Sequence, residues 1–259
     1  DMRAQICHHL IDFAEPQETI SVKIFQQKVE QCIQDIFTRQ RLPILVGGTG
    51  QYIWSIVEGW SIPPQKPDVR IRSVLLDWEK EIGPKEIHEK LRLIDPVAAD
   101  KIDYRNIRRT LRALEVILGT GRLFSEQRRK IGANYSIKMI GITMPRPQLY
   151  QQIDLRIEQM MESGLIAEVE SLLAKGLLSD LPSMSAIGYR EVIELIEGNI
   201  NSDEAVQLIK RRTRQLVRRQ ANWFKLNDPR IHWFSSSSQL VEEVVNFIKS
   251  DKGWLCKLS

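Results

Sequence analysis

Apolar residues recur at helical spacing near the start of the chain and then give way to a short continuous apolar run. Between Val22 and Arg39 they lie three or four positions apart, which predicts an amphipathic helix. Pro43 ends this pattern, and Ile44–Val46 is an apolar run of the kind found in buried strands. Gly47–Gly50 follows, and helical periodicity then returns. Helix, strand, glycine-rich turn and helix predict an α/β domain with a parallel sheet.

A second break comes at the prolines that follow Trp60, and the chain from Asp68 to about Ile131 has a helical pattern. Ile137–Met144 returns to β character and stops at Pro145. A helical block between two strand-bearing segments predicts an insertion into an α/β core. The predicted division is therefore residues 1–60 as the first part of the core, 61–134 as the helical insertion, and 135–259 as the rest of the core with C-terminal helices.

The last third of the chain is predicted to be mainly helical. Three glycines there, Gly164, Gly176 and Gly198, stand where helix C-caps are expected. The predicted helices are Gln148–Ser163, Leu165–Lys175, Tyr189–Ile196, Asp203–Lys225 and a final amphipathic helix that contains Leu240, Val244, Val245 and Ile248.

The composition is that of an ordinary globular protein. Hydrophobic residues make up 42% and charged residues 27%, which excludes a disordered or fibrous chain. No apolar run reaches the ~18 residues of a membrane span, so we expect no membrane partner and a cytoplasmic protein. Three cysteines without metal-ligand spacing exclude a disulfide framework and favour a reducing compartment. Because the first residue is Asp1, we expect the sequence to be a piece of a longer protein.

Basic residues are concentrated in two stretches. The segment Ala205–Lys225 holds seven basic residues and no acidic one, and Lys101–Lys130 holds nine against three. These stretches carry +13 together, whereas the rest of the chain sums to −9 against a total of +4. Such concentration is typical of proteins that bind a phosphate backbone. The alternative interpretation is that these are solvated arginine-rich helix faces.

Three local motifs can bind anions or metals. Gly47–Gly50 connects a predicted strand to a helix, so its backbone N–H groups can approach an anion, although a tight turn would use the same glycines and no Walker A lysine follows. His8 and His9 are adjacent and lack a third ligand nearby, which favours a structural role over a metal site. Arg156 follows the returning strand on a helix, near the sheet edge where ligands bind in open α/β folds.

An arginine cluster opens one helix of the predicted insertion. Arg105, Arg109 and Arg112 are spaced to share one helical face. Three guanidinium groups on one face repel one another unless an anion or carboxylates lie opposite them. We therefore expect phosphate contact here, with a solvated face as the alternative.

An ordered set of motifs resembles the tRNA dimethylallyltransferases from about His8 to Phe224. Each motif is modest alone, but the order and spacing of the set are specific. The motifs are His8-His9-Leu10-Ile11-Asp12, Val46-Gly47-Gly48-Thr49-Gly50 with Tyr52, Asp95-Pro96, Arg109-Thr110-Leu111-Arg112-Ala113-Leu114-Glu115-Val116, Ile187-Gly188-Tyr189-Arg190-Glu191, and Thr213-Arg214-Gln215 with Trp223-Phe224.

The resemblance implies a P-loop NTPase-like, nucleotide-binding (ATP-binding) α/β core with a helical insertion that clasps the anticodon arm of tRNA. It also implies transfer of a dimethylallyl group from dimethylallyl diphosphate, with Mg²⁺, to the exocyclic N6 amine of the adenosine 3′-adjacent to the anticodon. We expect a monomer. The rival functions are an adenylate isopentenyltransferase, which would not need two basic stretches, and a non-catalytic RNA-binding remnant.

The resemblance also assigns residues by position. Arg156 matches the arginine that holds the diphosphate. We also expect Gly47, Gly48 and Thr49 to form a cofactor-binding turn. Arg214, Arg218 and Arg219 are further candidates for phosphate contact. The implied tRNA-binding residues are Thr49, Arg70, Asn106, Ile107, Arg108, Arg109, Thr110, Ser185, Ala186, Ile187, Gly188, Tyr189 and Arg190.

One departure from the family pattern concerns catalysis. The resemblance places the Walker-A-like loop, the general-base aspartate and an early tRNA-contact loop before Asp1, and it assigns no metal ligand within the chain. We therefore expect the sequence as printed to be inactive and the full-length protein to be active.

Overall fold

The computed structural model describes residues 5–62, 68–127, 132 and 135–250. The chain divides into two compact units. The first unit combines Asp1–Ile53 with Tyr135–Ser259, and the second unit is Trp54–Asn134. The second unit is thus inserted in the sequence of the first; it begins at Trp54, whereas the sequence analysis placed the start of the insertion at residue 61.

Helices predominate in both units. In the first unit the elements are α1 (Val22–Thr38), the start of α2 (Gly50–Val57), β1 (Met139–Thr143), α8 (Arg146–Glu162), α9 (Leu165–Ala174), a short 3₁₀ helix (Ser183–Ser185), α10 (Tyr189–Ile196), α11 (Ser202–Trp223), β2 (Ile231–Ser235) and α12 (Leu240–Ser250). In the second unit, after the end of α2, they are α3 (Val69–Ile82), α4 (Pro84–Ile94), α5 (Pro96–Asp100), α6 (Ile107–Thr120) and α7 (Phe124–Gln127).

The predicted helices are confirmed to within a few residues, because their ends carry clear sequence signals. Ser21 begins α1, where its Oγ accepts a hydrogen bond from the N–H of Ile24 at 3.2 Å. At the start of α11, Asn201 and Glu204 each accept the other's backbone N–H, at 3.0 and 2.9 Å. Gly164 has φ +97°, a left-handed conformation that glycine adopts without strain.

The sheet of the first unit is a parallel pair. β1 pairs with β2 in the register Met139↔Ile231 to Thr143↔Ser235, and four helices, α8–α11, connect the two strands. Gly141 lies opposite Trp233, and a Cβ at Gly141 would lie 2.4 Å from the indole ring, so this position requires glycine. The structure is therefore α/β with a small parallel sheet, which confirms the α/β fold class predicted from the pattern.

The strand predicted at Ile44–Val46 is wrong. The described residues of this run are not in a strand, and Ile44 and Val46 are 73% and 87% exposed. The two strands in the described part of the chain pair with each other, and neither pairs with this run. An apolar run forms a buried strand only when a neighbouring strand accepts its backbone hydrogen bonds, and that requirement is not visible in local sequence.

The core of the first unit lies among α8–α11. Ile157, Val169, Val192 and Ile209 are each at most 3% exposed and pack together with Met184. Burying one such side chain contributes about 1.5–3 kcal/mol relative to leaving it exposed. This packing fixes α8 and α11 against each other, and both helices carry the charged residues described below.

The second unit has its own apolar core. Leu75, Ile87, Leu91 and Leu114 are at most 2% exposed and join α3, α4 and α6. The buried His88 donates its Nε2–H to the carbonyl of Ile102 at 2.8 Å, which satisfies a polar group within that core. The prediction of a helical block is confirmed over residues 68–127.

Candidate functional site

Arg156 lies in the middle of α8, about 15 Å along the helix axis from Arg146. Its side chain is exposed, and it has no carboxylate or other polar partner in the described part of the chain. Arg212 and Arg214, by contrast, both pair with carboxylates. Arg156 is therefore a cation available to an external anion, and its assigned role stays a prediction.

The Gly47–Gly50 turn packs against the last turns of α11. Gln220 Nε2 donates to the carbonyl of Gly48 at 3.2 Å. A Cβ at Gly48 would lie 2.2 Å from Gln220 Nε2, and one at Gly50 would lie 2.1 Å from the ring of Trp223. The end of the flexible Gln220 side chain can move, whereas the Trp223 ring and its Cβ cannot, so packing accounts for glycine at Gly50. The cofactor-binding role of Gly47, Gly48 and Thr49 stays a prediction. Thr49 is exposed, and its carbonyl accepts the N–H groups of Tyr52 and Ile53 at the start of α2.

The Ser185–Arg190 stretch forms the turn between the 3₁₀ helix and α10. Ser185, Ala186 and Arg190 are exposed, Ile187 and Tyr189 are half-buried, and Gly188 is buried. Gly188 has φ +102° and ψ −56°, so a side chain here would be strained. The stretch therefore presents the exposed side chains of Ser185, Ala186 and Arg190 next to this turn.

The two long polar side chains of the Ser185–Arg190 stretch already have partners within the protein. The Tyr189 hydroxyl donates to Glu168, and this hydrogen bond together with burial raises the pKa of Tyr189 to about 12. Arg190 Nε pairs with Glu194 at 3.3 Å. An exposed pair of this kind is weak, so Arg190 can exchange Glu194 for a phosphate.

A buried ion pair beneath this turn was missed by the sequence analysis. Glu191 is fully buried, pairs with Arg212 of α11, and accepts the N–H of Gly188 at 2.7 Å. The pair thereby ties the turn to α11. The sequence shows one half of this pair, a glutamate three residues after a glycine at a helix start. The arginine that pairs with this glutamate lies 21 residues farther along the chain.

The start of α6 in the second unit presents two exposed arginines. Asn106 begins the helix, where its Oδ1 accepts the N–H of Arg109 at 3.3 Å. Arg108 and Arg109 are exposed and have no partner in the described part of the chain. Ile107 packs against the core, and Thr110 is fully buried, so the structure does not bring the Thr110 side chain to the surface with its neighbours.

The prediction that Arg105, Arg109 and Arg112 share one helical face is wrong for Arg105, and the predicted phosphate contact stays a prediction. Arg105 precedes α6 and binds Asp103 at 2.6 Å, an interaction that lowers the pKa of Asp103 to about 2. Arg112 pairs with the buried Glu115 at 3.2 Å. Two of the three guanidinium groups are thus bound to carboxylates on the same chain, and Arg109 is the member of the set that is available to an external anion.

Arg70 lies at the start of α3 in the second unit. Asp68 begins this helix by accepting the N–H of Arg70 at 2.8 Å, and the N–H of Asp68 in turn donates to Glu115 Oε1 at 2.8 Å. Glu115 also pairs with Arg72 at 3.4 Å. The side chain of Arg70 is exposed at a helix start that α6 holds in place.

A basic groove lies between α8 and α11 in the first unit, with a volume of about 520 Å³. Sequence analysis found the basic stretch of α11 but not the groove, because one wall comes from α8, more than fifty residues earlier. The groove is lined by Tyr150, Gln207, Leu208, Lys210, Arg211, Arg214 and Arg218.

The described residues do not fit a metal ion held by protein ligands. Within residues 5–62, 68–127, 132 and 135–250, no three His, Cys, Asp or Glu side chains come together as a ligand set. His9 Nε2 faces the guanidinium of Arg39 at 3.3 Å, a cationic neighbour that disfavours a metal there. Among the same residues, no helix combines the length and apolar character needed to span a membrane.

The whole chain resembles a set of known proteins. The tRNA dimethylallyltransferase of Dehalococcoides mccartyi is 41% identical over 247 residues, covering 95% of this chain and 76% of the relative. That of Carboxydothermus hydrogenoformans is 41% identical over 254 residues, covering 97% and 81%. The crystal structure of a tRNA isopentenylpyrophosphate transferase from Bacillus halodurans has 36% identity and a TM-score of 0.66, covering 97% of this chain and 80% of that one. A family model described as IPP transferase matches residues 1–227, and the chain belongs to that family.

Proposed function

We propose that this protein transfers a dimethylallyl group from dimethylallyl diphosphate to the N6 amine of the adenosine 3′-adjacent to the anticodon in tRNA. The observation that carries the proposal is the family match over residues 1–227. The presence of exposed, unpaired arginines in both units supports it, because both the donor and the acceptor carry phosphates.

In the proposed reaction, a C–N bond forms between the adenine amine and the allylic carbon while the C–O bond to the diphosphate breaks. The diphosphate leaves with the electron pair, and the amine passes a proton to water or to a general base of the full-length protein. Negative charge therefore grows on the departing diphosphate in the transition state. Arg156 is the residue we assign to that charge, because its guanidinium is exposed and unpaired in the described part of the chain.

We assign tRNA binding to both units. In the second unit the contacts are Arg70 and the start of α6, where Arg108 and Arg109 are exposed. In the first unit they are Thr49 and the Ser185–Arg190 turn. We propose that the inserted unit clasps the anticodon arm and that the first unit is a P-loop-like core. Transfer to an exocyclic amine also requires the adenosine to leave its stack and enter a pocket.

Mg²⁺ is the expected cofactor, but the described residues offer no ligand set for it. Mg²⁺ commonly keeps several waters and binds through the phosphates of a substrate. Any Mg²⁺ in this reaction is therefore assigned to the diphosphate rather than to the described residues, and no step is derived through it.

A competition experiment tests this function. The full-length protein is incubated with labelled dimethylallyl diphosphate, Mg²⁺, unmodified tRNA and AMP in one reaction. We expect label on tRNA at the adenosine next to the anticodon. Label on AMP would instead identify an adenylate isopentenyltransferase, and tRNA binding without any transfer would identify a non-catalytic RNA-binding protein.

A further inference from the structure

Glu115 is a buried carboxylate of the second unit that joins α6 to the start of α3. It is 1% exposed, and its Oε1 accepts the backbone N–H of Asp68, the residue that begins α3, at 2.8 Å. Arg112 Nη1 approaches the same oxygen at 3.2 Å, and Arg72 Nη2 lies 3.4 Å from Oε2. The hydrogen bond from Asp68 is therefore the shortest of these three contacts.

The apolar packing of the second unit does not explain a glutamate at this position. Leu75 of α3 and Leu111 and Leu114 of α6 are at most 4% exposed and belong to one core, which already holds the two helices together. Burying a carboxylate has a large desolvation cost, and well-packed apolar side chains often replace a buried ion pair without loss of stability. The role of Glu115 is therefore one that an apolar side chain could not fill.

That role is to accept the N–H of Asp68. Apolar contacts are non-directional, whereas a hydrogen bond fixes one atom of α3 against one atom of α6. The Asp68 carboxylate in turn accepts the N–H groups of Arg70 and Ile71, at 2.8 and 3.3 Å. The contacts that connect Glu115 to the first turn of α3 thus run through Asp68.

The exposed arginines on the two sides of this link depend on it differently. Arg70 is exposed and lies two residues after Asp68 at the start of α3. Arg109 is exposed and lies in the first turn of α6, the helix that carries Glu115 itself. The position of Arg109 on α6 does not depend on the contact with Asp68. Breaking that contact should therefore displace Arg70 and leave Arg109 in place.

We propose that Glu115 is a positioning residue, whose hydrogen bond with Asp68 places Arg70 for contact with a backbone phosphate of tRNA. The identification of the ligand as tRNA rests on the proposed function. The contact requires the reach of the Glu115 side chain rather than its charge, because the donor is an uncharged backbone N–H. Arg72 and Arg112 offset the buried charge that the acceptor carries.

Two variants of Glu115 separate reach from charge. Glu115→Gln keeps the length of the side chain and an amide oxygen that can accept the Asp68 N–H, but it removes the charge. Glu115→Asp keeps the charge but is one methylene group shorter, which withdraws the carboxylate from Asp68. Glu89→Gln removes the charge of an exposed carboxylate on α4 and is the control for the altered net charge.

The test combines each of these variants with Arg70→Ala and, separately, with Arg109→Ala in the full-length protein. Binding of unmodified tRNA is measured at several salt concentrations without donor. In the wild type, each arginine substitution should lower the magnitude of the slope of log K against log salt by about 0.7, the value for one phosphate contact. In Glu115→Asp, Arg70→Ala should have almost no further effect, whereas Arg109→Ala should keep its full effect. Both glutamine variants should retain both effects.

Four results would overturn the proposal. A full effect of Arg70→Ala in Glu115→Asp would show that Arg70 is in place without the hydrogen bond. Loss of both arginine effects in Glu115→Asp would mean that Glu115 maintains the fold of the second unit as a whole. Loss of the Arg70 effect in Glu115→Gln but not in Glu89→Gln would assign the role to the charge. An unchanged slope for Arg70→Ala in the wild type would show that there is no contact to position.

Glu115→Met provides a second route if Glu115→Asp does not fold. Methionine is similar in length to glutamate but lacks the acceptor oxygen, so the same loss of the Arg70 effect alone is expected, and a persistent Arg70 effect would reject the proposal.

The outcome is separable from that of the proposed function. If the wild type transfers label to tRNA while the Arg70 effect persists in Glu115→Asp, the transferase assignment stands and the positioning proposal fails. If the Arg70 effect is lost in Glu115→Asp although the wild type transfers no label, the positioning proposal stands and the transferase assignment fails.

Discussion

The buried carboxylate of Glu191 both pairs with Arg212 of α11 and accepts the backbone N–H of Gly188 at 2.7 Å. One side chain thus connects a helix of the core to a turn that requires a positive φ. The turn carries the exposed residues Ser185, Ala186 and Arg190, so its geometry depends on a charge pair whose carboxylate is buried.

Removing one member of this pair is expected to destabilise the first unit strongly. Arg212→Met leaves the Glu191 carboxylate buried without its cation, and breaking such a pair costs about 3–5 kcal/mol. Urea unfolding at neutral pH measures the loss. Arg190→Met, which breaks the exposed pair with Glu194, serves as the control and is expected to change stability by less than about 1 kcal/mol.

A double variant separates the charge from the packing. Glu191→Gln/Arg212→Met removes both charges while the glutamine can still accept the Gly188 N–H. We expect it to be more stable than Arg212→Met alone, because no unpaired charge remains buried. If the double variant is less stable than the single one, the pair stabilises the turn mainly by shape.

Arg156→Ala is expected to slow prenyl transfer far more than it weakens tRNA binding. If the guanidinium stabilises the departing diphosphate, its removal lowers the rate by about 10²–10³-fold, as for other donors that stabilise transition-state charge. The full-length protein is used for single-turnover transfer and for tRNA binding. Arg146→Ala, at the start of the same helix, is the matched control. Equal losses in transfer and in binding for Arg156→Ala would place Arg156 in the tRNA interface instead.

Arg109→Ala is expected to weaken tRNA binding, since its exposed guanidinium has no partner in the described part of the chain. The slope of log K against log salt should fall by the amount that corresponds to about one phosphate contact. Arg105→Ala provides a close control, because Asp103 already neutralises Arg105. Binding isotherms at several salt concentrations measure both variants. A slope that falls equally for both would mean that RNA displaces Asp103 from Arg105.

The sequence predicted what depends on local pattern. The helix Tyr189–Ile196 has the predicted bounds, because a glycine precedes it and the apolar spacing fixes its length. The apolar run Ile44–Val46 has the pattern of a strand but does not form one, since a strand also needs a neighbour. Strand β2 was not predicted, because in Ile231–Ser235 the adjacent aromatic residues Trp233 and Phe234 interrupt the alternation of apolar and polar residues.

The candidate site was predictable as a set of residue types but not as a set of available charges. The sequence shows that Arg105, Arg109 and Arg112 are close together, but only the structure shows that Asp103 and Glu115 bind two of them. In the same way, the basic stretch of α11 is visible in sequence. Which of its cations are free depends on Asp154 and Glu158, which lie on a different helix.

The second unit is expected to lose stability in acid through Asp95. Its carboxylate is fully buried and accepts the N–H groups of Ala98 at 3.0 Å and Ser125 at 2.8 Å. Burial alone raises the pKa of this carboxyl, but the hydrogen bonds outweigh that effect and lower it below its ordinary value. The stabilisation is therefore complete above the ordinary pKa of about 3.9 and is lost as pH falls toward the lower folded pKa.

Asp95→Asn tests this account: the amide keeps the shape of the side chain, removes its charge, and replaces one of the two acceptor oxygens by an NH₂ group, which cannot accept the N–H of Ala98 or Ser125. We expect a loss of about 1–3 kcal/mol at pH 7, since one hydrogen bond is lost and the other changes from a charged to a neutral acceptor. The loss should shrink as pH falls from about 5 to about 3, because the unfolded wild-type chain takes up a proton that the folded carboxylate, with its lower pKa, does not yet bind. Hydrogen exchange of the buried α6 amides, corrected for the intrinsic rate at each pH, reports on the second unit alone. Asp100→Asn, which changes an exposed carboxylate of α5, is the control; a constant difference between wild type and Asp95→Asn across this pH range would show that the charge of Asp95 contributes nothing.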